Sequence, residues 1–321
     1  MIPKNLLREL RKKRNKTFLV SAHIHLEGDA LGAELAMARL LRALGKKVFV
    51  VNEDEAPAEY EFLPGIQVIR HDTKSLSFDA AVLVDCSDIS RIGKVANLIG
   101  CDRPVFNIDH HISNTKFGDI NWVKPEASCA CEMIYSLYEA LDVKIKKEDA
   151  ILLYAGILAD TGSFRYATTS AWTHRIVSEL MRHKLDVYQI HRRINESLSL
   201  KTIRLFGKII QTLETDKSGK IAWLVMRRSM VNQEPTLVDQ TDGLIQFARS
   251  LKGVEVALLF KEVRRNREVR INLRSTGKVD VNALAKGFGG GGHKMASGAT
   301  LHCCLKEAIG AVVREAQKRI S

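Results

Sequence analysis

The chain has 321 residues, 45% of them hydrophobic and 27% charged, with a formal net charge of +12 and a pI near 9.4. That balance suits a soluble globular protein of two domains with separate cores and excludes a disordered or fibrous chain. The positive excess favours polyanionic partners such as nucleotides, oligonucleotides and phosphate esters, and no stretch approaches the ~20 apolar residues of a membrane span.

The six cysteines, Cys86, Cys101, Cys129, Cys131, Cys303 and Cys304, form no CxxC pair and no evident disulfide framework, which argues for a reducing, cytoplasmic setting and against a zinc ribbon. Near the start, the basic run Arg8, Arg11, Lys12, Lys13, Arg14 and Lys16 precedes an apolar stretch too short for a signal peptide. Thr17 to His23 reads as a buried strand, running through His23-Ile24-His25-Leu26-Glu27-Gly28-Asp29 into a helix. In that helix Ala33, Ala36, Met37, Leu40, Leu41 and Leu44 recur at helical spacing before Gly45 stops it. Standing alone, this corner calls for no more than a helix cap at Asp29 and a packed His23. Yet His23, Glu27 and Asp29 also crowd three donors into seven residues, a spacing that can converge on one or two cations.

Lys47 to Asn52 is the next strand, and the β-α-β crossover implies a parallel sheet. A third apolar run, Ala80 to Val84, ends at Asp85; a short helix is expected over Arg91 to Leu98. Val105 to Ile108 then ends in Asp109-His110-His111, one carboxylate and two imidazoles at the carboxyl edge of a strand, where open α/β sheets bind ligands. Helices are expected over Ala127 to Leu141 and Asp149 to Leu158, the latter running into Asp160. Further helical stretches follow over Thr173 to His183, Leu185 to Glu196 and Lys201 to Leu213.

After the polar turn Thr215 to Lys220 come a strand (Ile221 to Met226), a helix around Asp239 to Ser250, and strands Val254 to Glu262 and Val269 to Arg274. Helices at Val281 to Lys286 and from Leu305 close an α+β arrangement. Between them lies Gly287-Phe288-Gly289-Gly290-Gly291-Gly292-His293-Lys294-Met295-Ala296-Ser297-Gly298, read as a loop whose backbone N–H groups are open to a close anion. Arg264, Arg265, Arg267 and Arg270 thicken the positive charge nearby. The expected organisation is an α/β, parallel-sheet N-terminal domain over 1–195, a helical linker over 196–214, and a smaller α+β C-terminal domain over 215–321.

The ordered set His23-x-x-x-Glu27-x-Asp29, Asp85, Asp109-His110-His111, Asp160 and GGGGHKMASG resembles the DHH phosphoesterase family with its associated C-terminal domain. Within that family the likeness is strongest to bacterial nano-RNases that also act as phosphatases of 3′-phosphoadenosine 5′-phosphate. The resemblance implies two divalent ions, one held by His23, Glu27 and Asp85 and the other by Asp29, Asp85, His110 and Asp160, with Asp85 bridging. Oxygen-rich mixed ligation suits Mn²⁺, with Mg²⁺ as the alternative. A metal-bridging hydroxide would be the nucleophile, His111 would meet the scissile phosphate and Asp109 would orient an imidazole or the loop. By the same resemblance Arg274, Ser275, Gly290, Gly291, Gly292 and His293 would grip the rest of a short RNA, mononucleotide or dinucleotide substrate, and a homodimer would be unsurprising for the family, while the lack of a spanning stretch gives no reason to expect a membrane partner.

One departure stands out: the family's first motif has Asn-Pro-Asp where this chain has His25-Leu26-Glu27. Glu keeps the charge one methylene further from the backbone, so retained activity with an altered metal preference is expected. Two other functions fit the residues: a cyclic di-adenylate phosphodiesterase, with the same chemistry and another leaving group, and a nucleic-acid-binding module that has lost catalysis through Glu27.

Overall fold

In the computed structural model the described residues are 1–72, 76–100, 102–196, 198–231, 239–264 and 267–320, so Cys101 and Arg265 lie outside them. The chain divides into two compact units, Met1–Ser197 and Leu198–Ser321.

The first unit opens with helix α1 (Lys4–Arg11), which buries Leu6 and Leu10 in the core and leaves Arg8 and Arg11 exposed. It continues with β1 (Thr17–Ser21), α2 (Gly28–Ala43), β2 (Lys47–Val51), β3 (Ile69–Arg70) and β4 (Ala80–Val84). After these come β5 (Val105–Asp109), β6 (Ile120–Val123), α3 (Ala130–Ala140), α4 (Lys147–Asp160), α5 (Ala171–Met181) and α6 (Val187–Asn195). The sheet is parallel throughout, in the order β3-β2-β1-β4-β5-β6. Alternation sends Phe18, Val20, Val82, Val84, Phe106 and Ile108 into the helix-covered core, and Leu19, Ala81, Leu83 and Val105 into a smaller cluster on the opposite face.

Strand order reverses between β1 and β4, the place where open α/β sheets bind ligands beyond the carboxyl ends of their strands. Register carries the chemistry to that edge. Ser21 pairs with Leu83 and Val84 with Ile108, so His23, Asp85 and Asp109 emerge from three adjacent strands at one level. Above them α2 and α4 run antiparallel in close contact. A Cβ on Gly32 would come within 2.6 Å of the Leu152 carbonyl, and one on Gly156 within 3.0 Å of Asp29 Oδ1, so these glycines let the start of α2 meet the end of α4.

The second unit contains α7 (Leu200–Ile210), β7 (Glu214–Thr215), β8 (Ile221–Met226), α8 (Arg228–Val231), α9 (Ile245–Arg249), β9 (Val256–Arg264) and β10 (Glu268–Ser275). It closes with α10 (Val281–Lys286), β11 (Gly291–His293), β12 (Ala296–His302) and α11 (Leu305–Gln317). Its mixed sheet, ordered β11-β12-β10-β9-β8-β7, is covered on one face by α10 and α11 and on the other by α7 and α9. The segment expected as a linker thus contains α7, whose Leu205 and Ile209 are buried in this unit's core.

Several elements differ from the sequence expectation. The Arg91 to Leu98 stretch is a 3-10 segment, Ile89–Leu98, broken where Gly93 takes a positive φ of 58°. Strand β6 is not foreseen because it is an edge strand burying only Trp122. The glycine stretch is not an open loop: Gly291 and Gly292 belong to β11 and pair with Gly298 and Ser297 of β12, and the Gly290 N–H bonds the Ala285 carbonyl. Glycine is required there by packing, since Gly292 has φ 142° and a Cβ would lie 2.6 Å from the Ala296 carbonyl oxygen.

Candidate metal centre

His23 leaves the end of β1 buried. Its Nδ1 donates to the Ile24 carbonyl at 2.6 Å, which fixes the tautomer and turns Nε2 to Asp85 Oδ2, 3.3 Å away. Glu27 caps α2, its Oε1 accepting from the N–H groups of Asp29 and Ala30, both at 3.1 Å. The extra methylene is taken up by this capping reach, and the carboxylate still lies with His23 and Asp85, each offering an atom within 4.8 Å of the others. Residue 25 has φ 63°, a left-handed conformation tolerated best by Gly, Asn, Asp and His, and Asp54 braces it by accepting the His25 N–H at 2.6 Å.

Asp29 is fully buried, its two oxygens accepting from the N–H groups of Ala130 (2.6 Å) and Cys131 (2.8 Å) at the start of α3. Asp160 sits at the carboxyl end of α4, where the helix dipole disfavours a negative charge. Nε2 of His110 lies 3.5 Å from Asp160 Oδ2 and 3.4 Å from Asp85 Oδ1, and Asp29, His110 and Asp160 form a second converging set.

The centre of the arrangement is Asp85. Its φ of 51° is strained for a non-glycine residue, it is 2% exposed, and one oxygen faces His23 while the other faces His110. That second oxygen, Oδ1, is buried without a hydrogen-bond partner among the described residues. His111 also approaches it, with Nδ1 at 3.6 Å, but Nδ1 bonds Asp109 Oδ1 at 2.7 Å. Asp109 is itself fully buried and accepts from Asn114 at 2.6 Å.

Electrostatics mark the cluster as short of positive charge. Burial, then the charges of Asp85 and Asp29, push the Glu27 carboxyl up to about 7. Burial likewise raises Asp29, and raises Asp160 well above the carboxylate range with help from the surrounding acids. Burial works to raise Asp85 too, but the imidazoles of His110 and His23 override it and hold the group well below its ordinary value. In return Asp85 outweighs the effect of burial on His23, lifting it to about 9, and lifts His110 well above the histidine range. Buried acids that resist ionising, an orphaned carboxylate oxygen and imidazoles aimed at carboxylates fit a divalent cation, which would displace the protons they now share.

The predicted residues His23, Glu27, Asp29, Asp85, Asp109, His110, His111 and Asp160 therefore meet in the first unit. Arg274, Ser275, Gly290, Gly291, Gly292 and His293 lie in the second. There, Ser275 is fully buried with its Oγ accepting the Gly277 N–H at 2.9 Å, and the Arg274 guanidinium donates to the Leu273 carbonyl. Sequence reasoning missed three asparagines that brace the centre: Asn107 and Asn114 both donate to the Cys86 carbonyl, and Asn52 takes the Ala22 N–H. The visible signal was a polar residue, Asn107, inside an otherwise apolar strand.

This parallel sheet, with acids and imidazoles gathered at its reversal point, is the scaffold of a phosphoesterase. The profile of the DHH family, N-terminal domain, matches residues 17–157 and that of the DHHA1 domain matches residues 236–321. The chain belongs to the DHH family of phosphoesterases and is a hydrolytic enzyme. It is 28% identical over 297 residues to a bifunctional oligoribonuclease and PAP phosphatase NrnA of Thermus thermophilus, covering 92% of this chain and 87% of that protein. The NrnA of Bacillus subtilis is 26% identical over 291 residues, covering 89% and 90%. Among solved structures, an exopolyphosphatase-related protein from Bacteroides fragilis has the same fold, with a TM-score of 0.90, 24% identity, and coverage of 98% of this chain and 95% of that one.

Proposed function

We propose that this chain is a two-metal-ion phosphoesterase that hydrolyses short oligoribonucleotides and 3′-phosphoadenosine 5′-phosphate. One observation carries the reading: Asp85, buried at the strand-order reversal, presents one oxygen to the His23–Glu27 group and the other, unpartnered, to the His110–Asp160 group. A carboxylate so placed is suited to bridge two cations. Similarity to the NrnA proteins along nearly the whole chain supports the substrate class.

His23, Glu27 and Asp85 would hold one ion, and Asp29, Asp85, His110 and Asp160 the other, with Mn²⁺ favoured by the oxygen-rich donor set and Mg²⁺ the alternative. When bound, such a pair supplies an activated water and neutralises the phosphoryl oxygens. The chain's own residues do the rest. Asp109 accepts from Nδ1 of His111 and so turns Nε2 away from itself; in the imidazolium form, whose charge Asp109 balances, that nitrogen would donate to the oxygens of the scissile phosphate or pass its proton to the leaving group, leaving the neutral Nδ1–H tautomer. Asn114 holds Asp109 in place. Arg274 and His293 are proposed to bind the substrate's second phosphate or base, Arg by its planar fork of donors.

The test is product analysis of metal-stripped protein restored with Mn²⁺ or Mg²⁺ and offered 3′-phosphoadenosine 5′-phosphate, RNA dimers to pentamers and cyclic di-adenylate. Turnover of the first two is expected, falling on the order of 10³-fold in Asp85→Ala. Preference for the cyclic dinucleotide would overturn the substrate assignment, and RNA binding with no metal-dependent turnover would overturn the catalytic one.

A further inference from the structure

Glu34 lies on α2 with no solvent exposure, amid the apolar residues that pack this helix on the sheet. Its partner among the described residues is Asn52, whose Nδ2 sits 2.7 and 2.9 Å from the two carboxylate oxygens. Asn52 follows the last residue of β2. Its backbone N–H bonds Arg70 of β3, while its Oδ1 lies 3.3 Å from both the Ala22 N–H and the Ser21 hydroxyl. Because an N–H can only donate, Oδ1 must face Ala22 and Nδ2 must face Glu34; the amide has one orientation.

These contacts fall where β1 leaves the sheet. Val20 pairs with Val50, so the register would bring Ala22 level with Asn52, but there the side-chain amide replaces the backbone ladder. The next residue is His23, and Ile24 is then tied to the Arg91 carbonyl at 2.7 Å. A buried acidic side chain whose hydrogen bonds among the described residues all come from one amide is costly, and apolar residues would fill the same space on α2 at lower cost.

Building on the metal-centre reading, we propose that Glu34 and Asn52 are positioning residues: Glu34 locks the Asn52 amide, and the locked amide sets the path by which β1 delivers His23 to the first cation. Neither touches substrate. Their effect is on the affinity of the ion that His23 holds, and loss of such an outer partner weakens metal binding by about 10- to 100-fold.

Exchange of donor and acceptor tests this. In the double variant Asn52→Asp with Glu34→Gln, the carboxylate introduced at position 52 would still accept from Ala22 while accepting one bond from the amide nitrogen introduced at position 34, so the link between the two side chains is restored through a single bond with donor and acceptor exchanged. Metal-stripped protein is titrated with Mn²⁺, following the free ion by electron paramagnetic resonance, and the thermal midpoint of each metal-free variant is recorded alongside. Wild type is expected to bind two ions. Glu34→Gln should weaken one of them roughly tenfold and Asn52→Asp up to about 100-fold, with the double variant recovering most of the loss. Single variants that bind both ions with wild-type affinity, whatever their thermal midpoints, would overturn the proposal, as would a double variant no better than Asn52→Asp. If Asn52→Asp does not fold, Glu34→Gln against the double variant decides the matter. A wild type that binds no ions overturns the metal-centre reading itself, which separates that failure from this one.

Discussion

The two units spend their special residues differently. In the first, four acids and three imidazoles converge at the strand-order reversal, where burial raises Glu27, Asp29 and Asp160 and leaves an oxygen of Asp85 without a partner among the described residues. In the second, the residues that drew attention are absorbed by the architecture: Gly291 and Gly292 are strand residues, and the Ser275 hydroxyl is engaged by its own turn. Electrostatic frustration thus marks the first unit as the place suited to a cation, whereas unusual composition in the second marks tight backbone packing. A glycine run and an acid–histidine cluster can look equally suggestive in sequence, yet the cluster concentrates several buried acids that resist ionising around an orphaned oxygen, whereas the described residues of the second unit hold one orphaned buried side-chain oxygen, Asn282 Oδ1.

The contrast can be broken most directly at Asp109. Asp109→Asn keeps the shape but loses the charge beside His111, and its one remaining oxygen cannot accept from both His111 and Asn114, so kcat should fall on the order of 10²- to 10³-fold while Mn²⁺ affinity holds. An unchanged kcat would remove His111 from the chemistry.

A second effect is thermal. In the metal-free protein burial pushes Glu27 up to about 7 and Glu34 up to about 8, and Asp85, overcoming burial, lifts His23 to about 9. The ordinary values are 4.5 for both acids and 6.5 for the histidine, so all three hold protons more tightly when folded. Their stabilisation is full below the ordinary values and is lost as pH rises through the folded ones. The metal-free thermal midpoint should therefore fall between about pH 5 and 9, and saturating Mn²⁺ should flatten the slope by replacing the protons at His23 and Glu27. Differential scanning calorimetry across that range checks it; a rising midpoint without metal would contradict it.

The smallest expected change lies in the second unit. Gly292→Ala forces a Cβ against the Ala296 carbonyl at φ 142° and should destabilise by about 1–3 kcal/mol. Chemical denaturation would register this while Mn²⁺ binding stayed intact. Loss of metal binding in this variant would erase the division of labour between the units.

Much of the first unit is legible in sequence because the ends of apolar elements and acid–histidine motifs coincide: Asp85 at the end of its strand lies beside His110 and His111, Asp109 reaches the same place through His111, and Asp160 at the end of α4 converges with Asp29 and His110. Parallel register makes this so for His23, Asp85 and Asp109, since neighbouring strands that stop together present their next residues together. What could not be read is long-range support. That Asp29 would be held by the start of α3, or that Asn52 would replace the sheet ladder at Ala22, depends on contacts between segments far apart in the chain. In the second unit β11 and β12 escaped notice because Gly291 to Gly298 has almost no apolar alternation; its strands form by close backbone approach rather than by burying large side chains. The departure at His25-Leu26-Glu27 reads more simply with φ in hand, since His suits a left-handed position and Glu27 retains both the cap and the approach to Asp85.

The central claim is that Asp85 joins two cation sites. Crystals of the metal-stripped protein soaked in Mn²⁺ and measured at the manganese absorption edge test it most directly. Two anomalous peaks about 3.5–4 Å apart, with Asp85 between them, are the predicted result. A single peak, or peaks that leave Asp85 unligated, would contradict the account.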